Sequence, residues 1–330
     1  MTSTPPISLI LCVKNGMPFL PQAIESVMAQ TYRHFELIVQ DGGSTDGTLE
    51  FLEGQGGIPG IQISTQPDSG IGQAYNRAVH RCSGEFIGSI DADNLLEKDA
   101  LEIVIDSFEE LEGFAALYGG CRMLEDGGQF VTNFMPSEFD IVNLLQCVLV
   151  PPFATSFFSR KVCGEELRFD ESLSTCADFD LWLRLGHLPI ARLPVILGST
   201  RISRKSMTCD PESYDQFCGD KIRALERYLA QNEGNLAIDS LRIHAISGIY
   251  AWAAESIYNL EGESERFRQY YERVAAVDPL SERLRTLSHS MPSEQHPQLS
   301  KGVRRKRPRR RTAIETRLRG LFARWTSRAS

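Results

Sequence analysis

Alternation is what most constrains this chain. Over residues 7–111, short apolar runs of strand length trade places with segments whose apolar residues recur at helical spacing. ISLILCV (7–13) is a continuous apolar run. PFLPQAIESVMAQ (18–30) carries Leu20, Ile24, Val27 and Met28 on one helical stripe, with its prolines confined to the first turn. FELIVQ, IQIST and EFIGSI read as further strands. TLEFLEG, GQAYNRAVHRC and KDALEIVIDSFEEL read as helices, the first of them introduced by the capping candidates Ser44, Thr45 and Asp46. This β-α-β-α order predicts an α/β fold, Rossmann-like, with a mostly parallel sheet covered by helices on both faces.

In such sheets ligands sit outside the carboxyl ends of the strands. The polar sequences that directly follow the strands are Lys14-Asn15-Gly16, Asp41-Gly42-Gly43-Ser44, Gln66-Pro67-Asp68 and Asp91-Ala92-Asp93. All four are expected along one rim. Asp91 and Asp93 emerge side by side there, and Mg2+ and Mn2+ prefer carboxylate oxygens. A pair of carboxylates on an open rim suits a metal that must also grip a diphosphate, so the expected partner is a divalent cation bridging the protein to a nucleotide diphosphate.

Beyond residue 113 the alternation loosens, with a hairpin expected around EDGGQ, and from about 211 the pattern is mainly helical. MPSEQHPQLS (291–300) reads as a linker. The expected organisation is a catalytic domain over 5–208, a helical C-terminal region over 209–290, a linker and basic cluster over 291–311, and a basic amphipathic helix over 312–330.

Eight cysteines form no CxxC pair and no zinc spacing, which points to a reducing compartment and ordinary thiols. The N-terminal segment has no basic stretch before its apolar run. No segment reaches the ~20 apolar residues of a spanning helix, since IVNLLQCVLVPPFATSFF is broken by Pro151 and Pro152. A cytoplasmic location is therefore expected. Charge is unevenly spread: residues 301–330 hold twelve Lys or Arg against the single acid Glu315, and the whole chain carries −8. The first 300 residues are strongly acidic.

ISLILCVKN, SVMAQTY, FELIVQDGGSTDGT, DSGIGQAYNRAV, RCSGEFIGSIDADN and ADFDLWLRL stand in the order and spacing of a known family. Over roughly residues 5–208 the chain resembles the family 2 glycosyltransferases, inverting enzymes with the nucleotide-sugar-binding fold called GT-A. The resemblance implies a UDP-sugar donor and a hydroxyl acceptor on a glycan or a lipid-linked glycan. By it, Asp41 corresponds to the acid that accepts from the uracil imide, a role its chemistry suits. Asp91 lies near ribose and metal, Asp93 is the more direct metal ligand, and Asp68 and Asn15 belong to the nucleotide-facing set.

The candidate base is Asp178. On a helix starting near Ala177 it shares a stripe with Leu181, Trp182 and Leu185, so it is expected to face inward with a raised pKa, as a general base requires. The family places its base at this same Asp, usually after a Glu, where this chain has Ala177. Asp180 and Arg184 are expected to form an exposed ion pair on another face. Where the family often has Arg-x-His, RISRKSMT offers Arg201 and then Ser203; Arg201, Arg204 or Lys205 would then either neutralise the departing diphosphate or form a basic surface loop.

A dinucleotide oxidoreductase would share the sheet, but Val-Lys-Asn-Gly follows the first strand and no GxGxxG opens the first helix. No GxxxxGK[ST] loop is present either. The alternative from another class is a non-catalytic nucleotide- or glycan-binding protein on the same fold, which Ala177 and Ser203 keep open. In the tail, Ile314, Leu318, Leu321, Phe322 and Trp325 fall on one helical stripe beside a basic cluster. That combination suits an anionic membrane surface, giving a peripheral location on the cytosolic face. Nucleic acid is not expected as a partner, because the acidic body opposes it.

Overall fold

The computed structural model describes residues 6–202 and 210–289. Its first part follows the alternation of the sequence. β1 (Ile7–Val13), α1 (Leu20–Met28), β2 (Phe35–Asp41), α2 (Thr48–Gln55), β3 (Ile61–Thr65), α3 (Ile71–Arg81) and β4 (Phe86–Ser89) are followed by β5 (Leu95–Leu96) and α4 (Ala100–Glu110). β1 pairs in parallel with β2 on one side and β4 on the other, and β2 pairs in parallel with β3. Parallel strands in one sheet put their carboxyl ends on one edge, which is where the four polar sequences emerge.

The chain continues through β6 (Ala116–Glu125), β7 (Phe130–Phe134), α5 (Ile141–Leu145), β8 (Ser156–Ser159), α6 (Arg160–Cys163), α7 (Ala177–Leu185) and β9 (Ile190–Ile202). The sheet order is β3-β2-β1-β4-β8-β6-β9-β5, with β7 paired to β6 as the expected hairpin. β8 runs antiparallel to both β4 and β6, and β9 is parallel to β6. The thirteen-residue β9 has no clear strand signature in the sequence. Pro194, which has no N–H to donate, sits where its register against β6 shifts.

The continuous apolar runs are explained by cover on both faces. Leu9, Leu11 and Val13 of β1 pack with Leu20, Ile24, Val27, Leu101 and Val104 from α1 and α4. Ile10 and Cys12 point the other way, into a core with Ala74 and Tyr75 of α3 and Leu181 and Trp182 of α7. That second core continues into the helical region of α8 (Tyr214–Gln231), α9 (Leu236–Asp239), α10 (Arg242–Glu261), α11 (Glu265–Val277) and α12 (Glu282–His289). Leu225, Ile249 and Phe267 belong to the same cluster as Phe179 and Trp182. The sheet and the helical region therefore share one core. The expected boundary at 208–209, and the linker, basic cluster and tail helix, lie outside the described residues.

All seven described cysteines are free thiols. Among the described residues no helix is long and apolar enough to cross a membrane.

Candidate active site

The loops leaving β1 and β2 are laced together. Asn15, at φ 59°, accepts from the Thr45 amide through Oδ1 (2.9 Å) and donates its own amide to Ser44 Oγ (2.8 Å). The Gly16 amide donates to Thr48 Oγ1 (2.9 Å) and the Met17 amide to Asp46 Oδ2 (3.0 Å). Asp41 is fully buried. Its Oδ2 accepts from the amides of Gly43 (2.9 Å) and Ser44 (3.2 Å), and its Oδ1 from Ser44 Oγ (2.5 Å). Asp68 accepts from the Gly70 amide through Oδ1 (3.1 Å) and lays its other oxygen over Gly42, where a Cβ would stand 2.4 Å from it. A side chain at position 42 would push that carboxylate off the β2 loop.

Past β4, Asn94 organises the acidic turn. Buried at 3% exposure, it donates through Nδ2 to Asp91 Oδ2 (2.9 Å) and accepts the Arg201 amide at Oδ1 (3.2 Å). Arg201, near the end of β9, donates Nε to the Asp93 carbonyl (2.9 Å), Nη1 to the carbonyls of Asp126 (3.1 Å) and Glu125 (3.5 Å), and Nη2 to Gln22 Oε1 (2.7 Å). Its guanidinium also covers the Phe19 ring at 4.4 Å from the centroid. These bonds use four of the five guanidinium N–H groups. Arg201 thus ties α1, the acidic turn and the β6–β7 hairpin together, where the sequence reading set it against a diphosphate. Ser203, Arg204 and Lys205 lie outside the described residues.

The carboxylates of this rim disturb one another. Burial, then the charges of Asp93 and Asp178, push Asp91 up to about 6, with the Asn94 hydrogen bond opposing. Burial raises Asp93, with Arg201 opposing and Asp126 adding to the rise. Burial also raises Asp178, against the pull of Lys221. Beneath them the buried Cys12 thiol is raised by burial and by both Asp91 and Asp68. Asp91 therefore lies within reach of the charges of Asp93 and Asp178, Asp91 and Asp68 both reach Cys12, and Asp41 adjoins Asp68 through the loop at Gly42.

Asp178 stands in the first turn of α7, half-buried, with Oδ1 accepting from the Phe179 amide (2.8 Å). Leu181, Trp182 and Leu185 are buried along the stripe expected for them. Ala177 is itself 5% exposed, so an apolar methyl is packed where the family usually has Glu.

The reading of Asp180 is corrected. It is 5% exposed, held by Arg184 Nε (2.9 Å) and approached by Arg227 Nη2 of α8 (3.6 Å). Spacing within α7 carried no sign that α8 covers this face. A polar cavity of about 460 Å³ beside it shares Asp180 and Arg184 but none of the rim carboxylates.

Sequence reasoning missed Asn94, Gln22 and Lys221. For Lys221 a signal existed: it occupies the apolar stripe Tyr214, Phe217, Cys218, Lys221, Leu225 of α8.

Among the described residues no group of three or more His, Cys, Asp or Glu is placed to hold a metal. Two acidic side chains on an open rim fit instead a hard divalent cation that takes its remaining oxygens from a diphosphate and water.

Residues 8–144 match the family model described as Glycosyl transferase family 2. The chain is 30% identical over 186 residues to the chondroitin synthase of Escherichia coli, a match spanning 56% of this chain and 27% of that protein. Among solved structures, S. aureus TarS 1-349 in complex with UDP-GlcNAc superposes with a TM-score of 0.54 at 18% identity, over 86% of this chain and 90% of that one. The mannosyltransferase PcManGT from Pyrobaculum calidifontis, in complex with GDP-Man and Mn2+, gives 0.56 at 16% identity, over 88% and 84%. At such identities these two likenesses establish the fold, which is GT-A. Family match, relative and fold agree over the region they share: residues 8–144 form a family 2 glycosyltransferase domain.

Proposed function

We propose that the chain is an inverting glycosyltransferase that moves a sugar from a UDP-sugar donor to a hydroxyl of a glycan or lipid-linked acceptor, in the assembly of a cell-surface polysaccharide. One observation carries this reading. Asp91, Asp93 and Asp178 come from two separate segments of the chain, and Asp91 feels the charge of both the others. Clustered carboxylates that disfavour one another's ionisation are suited to a cationic, substrate-bearing complex. The relative named a chondroitin synthase and the UDP-GlcNAc complex of TarS support the donor class and the polysaccharide setting.

In this reading Asp93 and Asp91 hold Mn2+ or Mg2+, which when bound neutralises charge on the diphosphate. Asp41 keeps one of about four lone-pair sites for an imide N–H, its others being filled by Gly43 and Ser44. Asn15 and Asp68 hold the loops against the nucleotide, and Arg201 acts by fixing the acidic turn. Asp178 takes the proton from the acceptor hydroxyl as that oxygen bonds to the anomeric carbon. The bond from that carbon to the diphosphate oxygen breaks, UDP leaves with the electron pair, and configuration inverts. No carboxylate nucleophile is required.

The location proposed is peripheral, on the cytosolic face of a membrane, through the basic segment 301–330. For the catalytic reading, Asp178→Asn is expected to keep UDP binding and lose about 10²–10⁴-fold in turnover, as loss of a general base does. Transfer at the wild-type rate in that variant would contradict it.

A further inference from the structure

We infer that the helical region completes the active site: Asp220 and Lys221 of α8 are positioning residues for Asp178. The first fixes the loop that leads into α7, and the second holds a cation beside its first turn. The inference rests on the reading of Asp178 as the base.

Asp220 has no exposure, and a carboxylate is stable there only if donors fill it. It accepts the Thr175 amide (2.7 Å) and Thr175 Oγ1 (2.8 Å) at Oδ2, and Gln216 Nε2 (3.0 Å) and the Arg223 guanidinium at Oδ1. Two of these donors belong to one loop residue, three positions before Asp178. Between them Cys176 adopts φ 54°, a left-handed conformation that a residue with a side chain holds only when its flanks are fixed. Asp220 therefore sets where α7 begins and from where Asp178 projects.

Lys221 is 4% exposed, although lysines are almost never fully buried without compensation. Its Nζ lies 3.4 Å from the centre of the Trp252 ring on α10 and 5.5 Å from that of Phe179, the neighbour of Asp178. The aromatic face offsets part of the desolvation. The charge of Lys221 favours ionised Asp178 against its burial. The groups around this pair are the thiols of Cys147, Cys176 and Cys218, which also feel Lys221, and Asp91 and the Tyr75 hydroxyl, which feel Asp178. A helix stripe that needed only to pack would carry an apolar residue at 221. The cation stands instead beside Phe179, where its charge reaches Asp178.

The test compares the full chain with Thr175→Val, Thr175→Ser and Lys221→Met. UDP affinity, thermal unfolding and donor turnover between about pH 5 and pH 9 are measured on each. Thr175→Val and Lys221→Met are expected to bind UDP as the wild type does and to lose about tenfold or more in kcat with little change in KM, as misplacement of a catalytic group does. Thr175→Ser, which keeps both donors to Asp220, should retain turnover. In Lys221→Met the acidic limb of the pH profile should move to higher pH, because Asp178 without its cation holds its proton longer. Wild-type turnover in both variants would overturn the inference. So would a loss of turnover matched by equal losses of UDP affinity and melting temperature, the mark of a purely structural role. A wild-type chain that binds UDP but turns over no donor would overturn the reading of Asp178 and the inference with it.

Discussion

Asp91 carries a cost in stability that suits its proposed role. A carboxyl that ionises near its ordinary value in the unfolded chain, and at about 6 in the fold, leaves the folded state binding more protons between those two values. The stability of the metal-free protein must then fall as pH rises from about 4 to about 6, by about 3 kcal/mol in total, and it is not regained above. Asp91→Asn removes the titration while keeping an oxygen for the Asn94 amide. We expect it to raise neutral-pH stability by up to about 3 kcal/mol and to flatten the pH dependence, while UDP binding is lost. Denaturant unfolding at about pH 4.5 and pH 7.5 checks this, and a variant no more stable than wild type at the higher pH would refute it. The placement of Asp41, Asp68, Asp91, Asp93 and Asp178 was legible in the sequence, because each follows a strand or opens a helix whose position the hydrophobic pattern fixes; their roles remain as proposed. Arg201 was legible as a charge but not as a clamp, because its partners are carbonyls of three remote segments. Asp180 was misread for the same reason, since its cover comes from α8.

At the scale of elements, the attachment of the helical region depends on a close approach. A Cβ on Gly248 of α10 would stand 2.3 Å from the Gln146 carbonyl oxygen, so α10 lies directly on the loop after α5. Arg283 of α12 fastens the same place, donating Nη1 to the carbonyls of Gln146 (2.7 Å) and Gly248 (3.1 Å) while pairing with Glu255. Gly248→Ala should therefore cost about 1–3 kcal/mol through forced separation of the two segments. Thermal unfolding would register a lower midpoint; an unchanged one would show that the contact yields without penalty. The elements from β1 through α4 were readable because each is a regular strand or helix with one clear period. β9 was not: Pro194 interrupts its ladder and its residues face a mixed environment.

For the whole molecule, one core joins the GT-A sheet to helices that the family model does not span, and through α8 those helices reach α7, which carries the proposed base. The sequence marked this region as helical and gave α8 an apolar stripe, but held no sign that the stripe docks on α7, because docking is settled by three-dimensional fit. Charge works at the same scale. The basic segment 301–330 opposes a body of strongly negative charge, and its deletion is expected to move the protein from the membrane to the soluble fraction of a lysate; unchanged membrane recovery would contradict a peripheral location.

The central claim is that the rim of Asp41, Asp91 and Asp93 binds a nucleotide diphosphate together with a divalent cation. Calorimetric titration of UDP, GDP and CDP, with and without Mn2+, on wild type and on Asp93→Ala tests it most directly. UDP is expected to bind, Mn2+ to strengthen the binding, and Asp93→Ala to abolish the metal's effect. No binding of any of the three nucleotides with Mn2+ present would contradict it.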